Sequence, residues 1–295
     1  MIISPTIISL REGVEAALII AIMLSYLRRT NRSDLRRYVI SGTVVAILAS
    51  FGVAIVVGVL WGIFEGPLLN VFEGVVVLTA AILLTTMIVW MWNVGARVAQ
   101  EIEESMEISA VQQSGIGLAL LSFSLVMREG VELSLFSIAL AIQEGVQSYI
   151  GIALGLSIAI ILGIGIYKGS LRISLKALFK WTSVFLILFA AGMIAYGIHE
   201  LQEAGFLLIG PIEIWNINPP LLPGGEYPLL HENGLIGGMA KALFGYNGNP
   251  SALEVVTYLA YLGIAFAYLW WKQKVADVKP FDKQTKTPHT TAPTH

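Results

Sequence analysis

Residues 7–24 read IISLREGVEAALIIAIML, and residues 121–138 read LSFSLVMREGVELSLFSI. Both stretches are apolar runs that carry the same five residues, Arg-Glu-Gly-Val-Glu, near their centre. A helix of about 20 apolar residues can cross the roughly 30 Å hydrocarbon core of a bilayer. We therefore expect two membrane-spanning helices whose charged residues face protein, because an ionised side chain exposed to lipid is costly.

The composition of the whole chain supports a membrane protein. Of its 295 residues, 56% are hydrophobic and 13% are charged, whereas soluble domains contain about 25% charged residues. The net charge of −2 provides no basic surface for nucleic acid. Cysteine is absent, which excludes disulfides and thiolate metal sites.

The apolar runs predict an all-α, polytopic membrane protein with seven transmembrane helices. The predicted helices cover residues 2–27, 38–64, 69–93, 115–142, 149–167, 181–201 and 253–271. We assign residues 1–276 to one transmembrane domain that includes a Pro- and Gly-rich loop at 205–250. The polar residues 277–295 are expected to form a disordered tail.

Basic residues predict the orientation of the chain. Three of the connecting or terminal segments are rich in arginine and lysine, namely 28–37, 168–180 and 272–286, while the opposite side carries Lys241 alone. By the positive-inside rule the N-terminus is outside and the C-terminus is cytoplasmic, as in a multi-pass protein of the cell membrane. The loop 205–250 is then external, and residues 233–244 are expected to form a short interfacial helix capped by Asn233.

The repeated motif also predicts internal symmetry. The copies lie in helices 1 and 4, three positions apart in helix order, so the helix of the first copy runs inward and that of the second runs outward. Helices 1–3 and 4–6 then form a 3+3 inverted repeat with one helix added. Secondary transporters are often built in this way, with the substrate site near the midplane.

Each motif directs its charged side chains to one face of its helix. At about 100° per residue, Glu12 and Glu15 lie roughly 60° apart, and Arg11 lies roughly 40° from Glu15. The second motif repeats this arrangement with Arg128, Glu129 and Glu132.

Four carboxylates and two guanidiniums sum to −4 + 2 = −2, a charge that suits a cation. Carboxylate oxygens are hard ligands, which favour a hard cation such as iron over copper. We expect Gly13 and Gly130 to leave room for another backbone or an ion. The alternative is that each motif forms a structural Arg–Glu pair that locks helices together.

Further acidic and histidine residues lie near the predicted helix ends. Glu73, His199, Glu200 and Glu203 are candidate accessory metal ligands at the outer end, or hydrated side chains. In the external loop, Glu226, His231 and Glu232 are weaker candidates. The cytoplasmic residues Glu101, Glu103, Glu104 and Glu107 would receive the cation or form a solvated face.

The paired REGVE motifs resemble those of the iron permease family. This family includes fungal oxidase-coupled permeases and bacterial ferrous or ferric uptake permeases, also described as iron/lead transporters. Residues 190–205, AAGMIAYGIHELQEAG, and 243–262, LFGYNGNPSALEVVTYLAYL, also look like the family.

The resemblance implies seven helices, an external N-terminus and iron as the transported substrate, with no organic cofactor. It implies that Glu12, Glu15, Glu129 and Glu132 bind the metal. Their charge partners would be Arg11 and Arg128. Partners would be the lipid bilayer, iron ions and an external oxidase or iron-binding protein, and a homo-oligomer is compatible with the sequence.

Two other functions remain open. The chain could transport another divalent cation, such as manganese, lead or zinc. It could instead be a membrane-embedded di-metal oxidoreductase, although such sites usually add Glu-x-x-His pairs. All four histidines lie outside both motifs, which favours a transporter that is not an enzyme.

Overall fold

The computed structural model describes residues 2–94, 102, 104–106, 115–168, 175–210, 212–222, 227–232 and 234–278. Their regular structure is helical, and an isolated bridge between Glu213 and Ser251 is the only β pairing within these ranges. The prediction of an all-α protein is confirmed for this part of the chain.

Eight α-helices are named here in chain order. They are α1 (Ile3–Arg29), α2 (Arg36–Ile63), α3 (Pro67–Val94), α4 (Gly115–Glu144), α5 (Ser148–Tyr167), α6 (Leu175–Glu203), α7 (Leu235–Phe244) and α8 (Ala252–Val278). The last helix continues through Val278 instead of ending at residue 271, so Asp277 and Val278 are helical where a disordered tail was predicted. The rest of the predicted tail lies outside the described residues.

Five helices in the described ranges are long and apolar enough to cross a membrane, and they belong to α2, α3, α5, α6 and α8. Helices α1 and α4 contain 27 and 30 residues, so their length is also sufficient. They differ because each carries the three charged residues of a REGVE motif inside its apolar run. Membrane-spanning composition is thus confirmed for five helices, and the count of seven stays a prediction.

The helices pack in a specific set of pairs. The most extensive pairings join α1 to α5, α2 to α4, and α3 to α6, while α8 packs against α6. Smaller contacts join α4 to α1 and to α3. The two helices that carry the charged motifs therefore lie side by side inside the bundle.

The buried apolar residues form two clusters on either side of the charged motifs. The larger cluster joins α1, α3, α4, α6 and α8 and includes Ile8, Phe136 and Leu140. The smaller cluster includes Ile19, Met23 and Leu118 near the opposite ends of α1 and α4. The charged motifs thus lie between two apolar layers.

Large apolar side chains also cover the outer surface of the bundle. Exposed Ile, Val, Leu and Phe side chains are frequent on α2 and α5, among other segments. This surface suits contact with lipid tails, where no burial against protein is needed.

The loop after α6 folds back onto the bundle through α7. The C-cap of α7 is Gly245, whose φ of 68° lies in the left-handed region that favours glycine. A Cβ atom at Gly192 of α6 would lie 2.5 Å from the Cα atom of Gly245, so the two backbones touch. Gly192 lies about 16 Å along the axis from the Glu203 end of α6.

The start of α7 differs from the predicted interfacial helix. Its N-cap is Gly234, which makes no side-chain capping hydrogen bond. Asn233, the predicted cap, lies outside the described residues. The contact with α6 therefore anchors this helix, because a glycine at each of the two positions permits the close approach.

Candidate metal centre

Three carboxylates from two helices converge in the interior of the bundle. Glu12 of α1 meets Glu129 and Glu132 of α4, and one carboxylate oxygen from each lies within 4.8 Å of the other two. All three residues are buried. A cation between them would be bound by hard oxygen ligands from both motifs.

Each arginine of the motifs pairs with the glutamate four residues later. Arg11 Nε donates to Glu15 Oε1 at 3.1 Å, and Arg128 Nε donates to Glu132 Oε1 at the same distance. Both pairs join residues one turn apart on a single helix. The structural alternative required Arg–Glu pairs that lock helices together. Among the described residues, both Arg–Glu ion pairs of the motifs instead lie within a single helix.

Several buried atoms of the motifs have no hydrogen-bond partner among the described residues. They are both carboxylate oxygens of Glu12, one oxygen each of Glu129 and Glu132, and the two terminal nitrogens of Arg11. An unsatisfied buried polar group is costly, most of all when it is charged. The carboxylate oxygens among them are available to a ligand between the two helices.

The fourth predicted ligand, Glu15, lies beside this set. It is buried, its Oε1 atom accepts from Arg11, and its charge interacts with those of Glu129 and Glu132. The structure thus brings three of the predicted carboxylates together and places the fourth outside that set.

The two arginines occupy different environments. The side chain of Arg11 is 1% exposed, whereas that of Arg128 is 43% exposed. The Arg128 guanidinium lies over the ring of Trp90, with 4.7 Å between its central carbon and the ring centroid. The arginines of two motifs with identical sequence therefore differ in their exposure to solvent.

The glycines of the motifs serve helix packing. A Cβ atom at Gly13 would lie 2.6 Å from the Cβ atom of Ala159 in α5. A Cβ atom at Gly130 would collide with the side chain of Ser50 in α2. Each glycine faces a neighbouring helix and not the carboxylates. Of the two expected roles, room for another backbone or room for an ion, the structure matches the first.

A second polar cluster surrounds His199 near the end of α6. His199 Nδ1 lies 3.0 Å from Glu254 Oε1, and His199 Nε2 lies 3.2 Å from Glu203 Oε1. These side chains line a cavity of about 310 Å³ together with Glu200 and Glu232. The cluster brings together three of the four predicted accessory residues.

Glu73, the remaining accessory residue, is held by a tryptophan. The indole Nε1 of Trp61 donates to Glu73 Oε1 at 2.7 Å. The charge of Glu73 also interacts with that of Glu200, whose side chain contacts the Tyr196 hydroxyl. Glu73 therefore lies near the same end of the bundle as the His199 cluster.

The weaker candidates are only partly described. Glu232 accepts from the backbone N–H of Gly248 at 3.2 Å, and the His231 ring packs against Tyr227 with 4.7 Å between centroids. Glu104 is exposed. Four others, namely Glu101, Glu103, Glu107 and Glu226, lie outside the described residues.

Comparisons with known proteins identify the family of the chain. A model of the Iron permease FTR1 family matches residues 2–277. The chain belongs to this iron permease family.

Several relatives align with most of the chain. The ferrous iron permease EfeU of Escherichia coli O6:K15:H31 (strain 536 / UPEC) is 35% identical over 261 residues, which are 88% of this chain and 91% of the relative. The protein named putative inactive ferrous iron permease EfeU in Escherichia coli (strain K12) has the same identity and coverage. An uncharacterized protein of Archaeoglobus fulgidus is 36% identical over 262 residues, 87% of this chain and 90% of the relative. No solved structure matches the chain.

The sequence did not single out Glu254, which joins the polar cluster around His199 in this iron permease family member. The Ser251 N–H donates to Glu254 Oε1 at 3.1 Å, and the Glu254 N–H donates to Ser251 Oγ at 3.3 Å. This is a capping box at the start of α8, and its Ser-x-x-Glu signature is visible in the sequence. Its second role, as a partner of His199, depends on α6 and could not be read from that signature.

Proposed function

We propose that this protein is an iron permease that carries iron through the carboxylate centre formed by its two REGVE motifs. The observation that carries the proposal is the convergence of Glu12, Glu129 and Glu132 within 4.8 Å, with buried oxygens that lack partners among the described residues. Membership of the iron permease family supports iron as the substrate, and relatives named ferrous iron permeases support uptake of this metal.

The chemistry of the centre fits a hard or borderline cation. Its donors are carboxylate oxygens, and among the described residues no histidine joins the set. The two arginines balance part of the negative charge, leaving −2 for the substrate to neutralise. The charge of Glu15 interacts with those of Glu129 and Glu132, and Glu15 would be the fourth carboxylate of the ligand set.

We also propose seven spans, with the N-terminus outside and the C-terminus in the cytoplasm of the cell that bears the protein. Helices α1 and α4 would be the two further spans, because their charged residues turn toward each other instead of toward lipid. The basic segments 28–37 and 168–180 would then lie on the cytoplasmic side.

The helix pairing supports a 3+3 inverted repeat. In such a repeat α1 corresponds to α4, α2 to α5 and α3 to α6. The α1–α5 pair then corresponds to the α4–α2 pair, and both are among the most extensive pairings. The α3–α6 pair corresponds to itself. The close packing of Gly13 on α5 and of Gly130 on α2 obeys the same relation. Rocking of the two halves around a shared site would give alternating access.

The route of iron would begin at the outer cavity. The cluster of His199, Glu200, Glu203 and Glu254, with Glu73 nearby, would attract the cation from outside and lower the barrier to dehydration. Iron would then reach the carboxylate centre and leave toward the cytoplasm. An external oxidase or iron-binding protein would deliver it, and proton exchange at the carboxylates would be one driving force.

The alternatives make different predictions. A transporter of manganese, lead or zinc would take these ions in preference to iron when they compete in proteoliposomes. A di-metal oxidoreductase would consume oxygen when ferrous iron is added to the purified protein. We favour the permease because the carboxylate set lacks the histidines that di-iron enzymes usually contribute.

The direct test is uptake of radioactive Fe²⁺ under anaerobic conditions into proteoliposomes containing the purified protein. Glu129→Gln keeps the size of the side chain and removes its charge, so uptake should fall at least tenfold. Glu65→Gln, an exposed position, is the matched control and should retain uptake. Equal uptake by wild type and Glu129→Gln would refute the site.

A further inference from the structure

The two REGVE motifs have the same sequence but contribute unequally to the carboxylate centre. The second motif supplies both of its glutamates, Glu129 and Glu132, whereas the first supplies Glu12 alone. Glu15, the counterpart of Glu132, lies outside this set, although each of the two glutamates accepts from the arginine of its own motif at 3.1 Å. The pseudo-symmetry of the motifs is therefore broken at one ligand.

The surroundings of the motifs are asymmetric in a consistent direction. Ile8 and Leu125 each precede the arginine of their motif by three residues, yet Ile8 is fully buried and Leu125 is only partly buried. Phe136 and Ile19 each follow the last glutamate by four residues, and they are 0% and 7% exposed. Arg11 and Arg128 show the largest difference.

In each of these comparisons, the more buried residue lies on the same side of the carboxylate centre. Because α1 and α4 run in opposite directions, Ile8, Arg11 and Phe136 lie toward the outer side under the proposed topology. Leu125, Ile19 and Arg128 lie toward the inner side. Next to the motifs, the outer side of the centre is therefore more tightly packed than its inner side under this topology.

Two halves with equivalent motifs can exchange their conformations. In an inverted repeat the exchange converts a state closed outside into a state closed inside. Applied to the carboxylates, it replaces the set Glu12, Glu129 and Glu132 by the set Glu129, Glu12 and Glu15. Two members are common to both sets, and the third differs.

We propose that Glu12 and Glu129 stay on the cation throughout transport, while Glu132 and Glu15 alternate as the third ligand in the inward-facing and outward-facing states. This inference rests on the proposed function, because it describes how the same centre passes the cation from one side to the other. The state described here uses Glu132.

The arginines make such an exchange tolerable. A glutamate that leaves the cation keeps the hydrogen bond to the arginine of its own motif, as Glu15 does with Arg11. A buried carboxylate without any partner would be strongly destabilising. Each arginine therefore keeps its bond to the alternating glutamate in both states, as Arg128 does with Glu132 inside the set.

The exchange also keeps the affinity balanced. Three carboxylates bind the cation in either state, so binding does not trap the protein in one of them. A ligand with equal affinity for two states shifts no equilibrium between them, which allows the loaded protein to cross. A single fixed third ligand would favour one state and slow transport.

The first test measures Fe²⁺ binding and uptake under anaerobic conditions for Glu15→Gln, Glu132→Gln, the double variant and Glu12→Gln. We expect each single variant at the alternating positions to lose uptake but to bind Fe²⁺ within about tenfold of wild type, because one state keeps its three ligands. The double variant and Glu12→Gln should bind at least about a hundredfold more weakly.

Two results of this test would overturn the inference. A fixed set of four ligands predicts that Glu15→Gln and Glu132→Gln each weaken binding as much as Glu12→Gln. A fixed set of three predicts that Glu132→Gln weakens binding as much as Glu12→Gln while Glu15→Gln does not. If wild type neither binds nor transports Fe²⁺, the proposed function itself fails, which is a separate result.

The second test reads which side is open, and it uses the absence of native cysteine. Single cysteines at Ile8 and Leu125 report the outer and inner sides through the rate of labelling by a thiol reagent. With Fe²⁺ bound, Glu15→Gln should protect the cysteine at 8 and expose the one at 125, and Glu132→Gln should reverse both. The same labelling pattern in both variants would contradict an alternating ligand.

Discussion

His199 Nδ1 lies 3.0 Å from Glu254 Oε1, and this contact joins the end of α6 to the first turn of α8. Glu254 is buried and also accepts from Asn247 Nδ2 at 2.8 Å. The carboxylate therefore has two roles that can be separated: it caps α8, and it adds negative charge to the cavity around His199.

Replacing Glu254 by Gln should weaken iron uptake mainly at low iron concentration. The change removes a negative charge from the cavity, which lowers the local concentration of cations. We expect a several-fold increase in the half-saturating Fe²⁺ concentration in proteoliposomes, with a smaller change in the maximal rate. Ser251→Ala is the control, because it removes a capping hydroxyl worth about 1 kcal/mol and leaves the charge. If both variants alter uptake equally, only helix capping is involved.

Replacing Gly13 by Ala should destabilise the bundle. The new methyl group would lie 2.6 Å from the Cβ atom of Ala159, and overpacking of this kind typically costs about 1–3 kcal/mol. We expect a lower melting temperature in detergent. The double variant Gly13→Ala with Ala159→Gly should recover most of the loss, because it exchanges the methyl group across the same contact. An unchanged melting temperature in the single variant would contradict the close packing of α1 on α5.

Removing Arg11 should be more damaging than removing Arg128. Breaking a buried ion pair by deleting one partner costs about 3–5 kcal/mol, whereas a pair that is partly exposed is worth less. The side chains are 1% and 43% exposed, respectively. Arg11→Gln should therefore lower the midpoint of denaturant unfolding more than Arg128→Gln does.

The double variant Arg11→Gln with Glu15→Gln provides the control for that prediction. It removes both members of the buried pair, so it should be more stable than Arg11→Gln alone. Equal stability of the two arginine variants would show that the difference in burial does not matter energetically.

A larger side chain at Gly192 should displace α7. In Gly192→Val the side chain would collide with the backbone at Gly245, which approaches within van der Waals distance of α6. We expect faster proteolysis in the loop between α6 and α8 and reduced uptake. Gly58→Val is the matched control, because nothing lies within 4 Å of a Cβ atom there. Similar effects from both valines would assign the result to helix propensity instead of contact with α7.

Much of the fold was predictable because membrane insertion depends on local composition. Apolar runs of sufficient length identify the spans, and the positions of basic residues predict orientation. The ends were less predictable: α8 continues to Val278, since an amphipathic or polar turn can extend a helix beyond the lipid. The role of α7 was also missed, because its contact with Gly192 depends on a backbone approach that no local pattern encodes.

The sequence alone determined that six charged residues occur in two identical motifs, that helical spacing places each set on one face, and that oxygen ligands dominate. The tertiary structure decided which carboxylates meet, namely Glu12, Glu129 and Glu132, and that Glu15 rests on Arg11. It also decided that Glu254 joins His199. The physical reason is that helical periodicity fixes directions within one helix, whereas contacts between helices depend on their relative rotation and spacing, which arise from packing along their whole length.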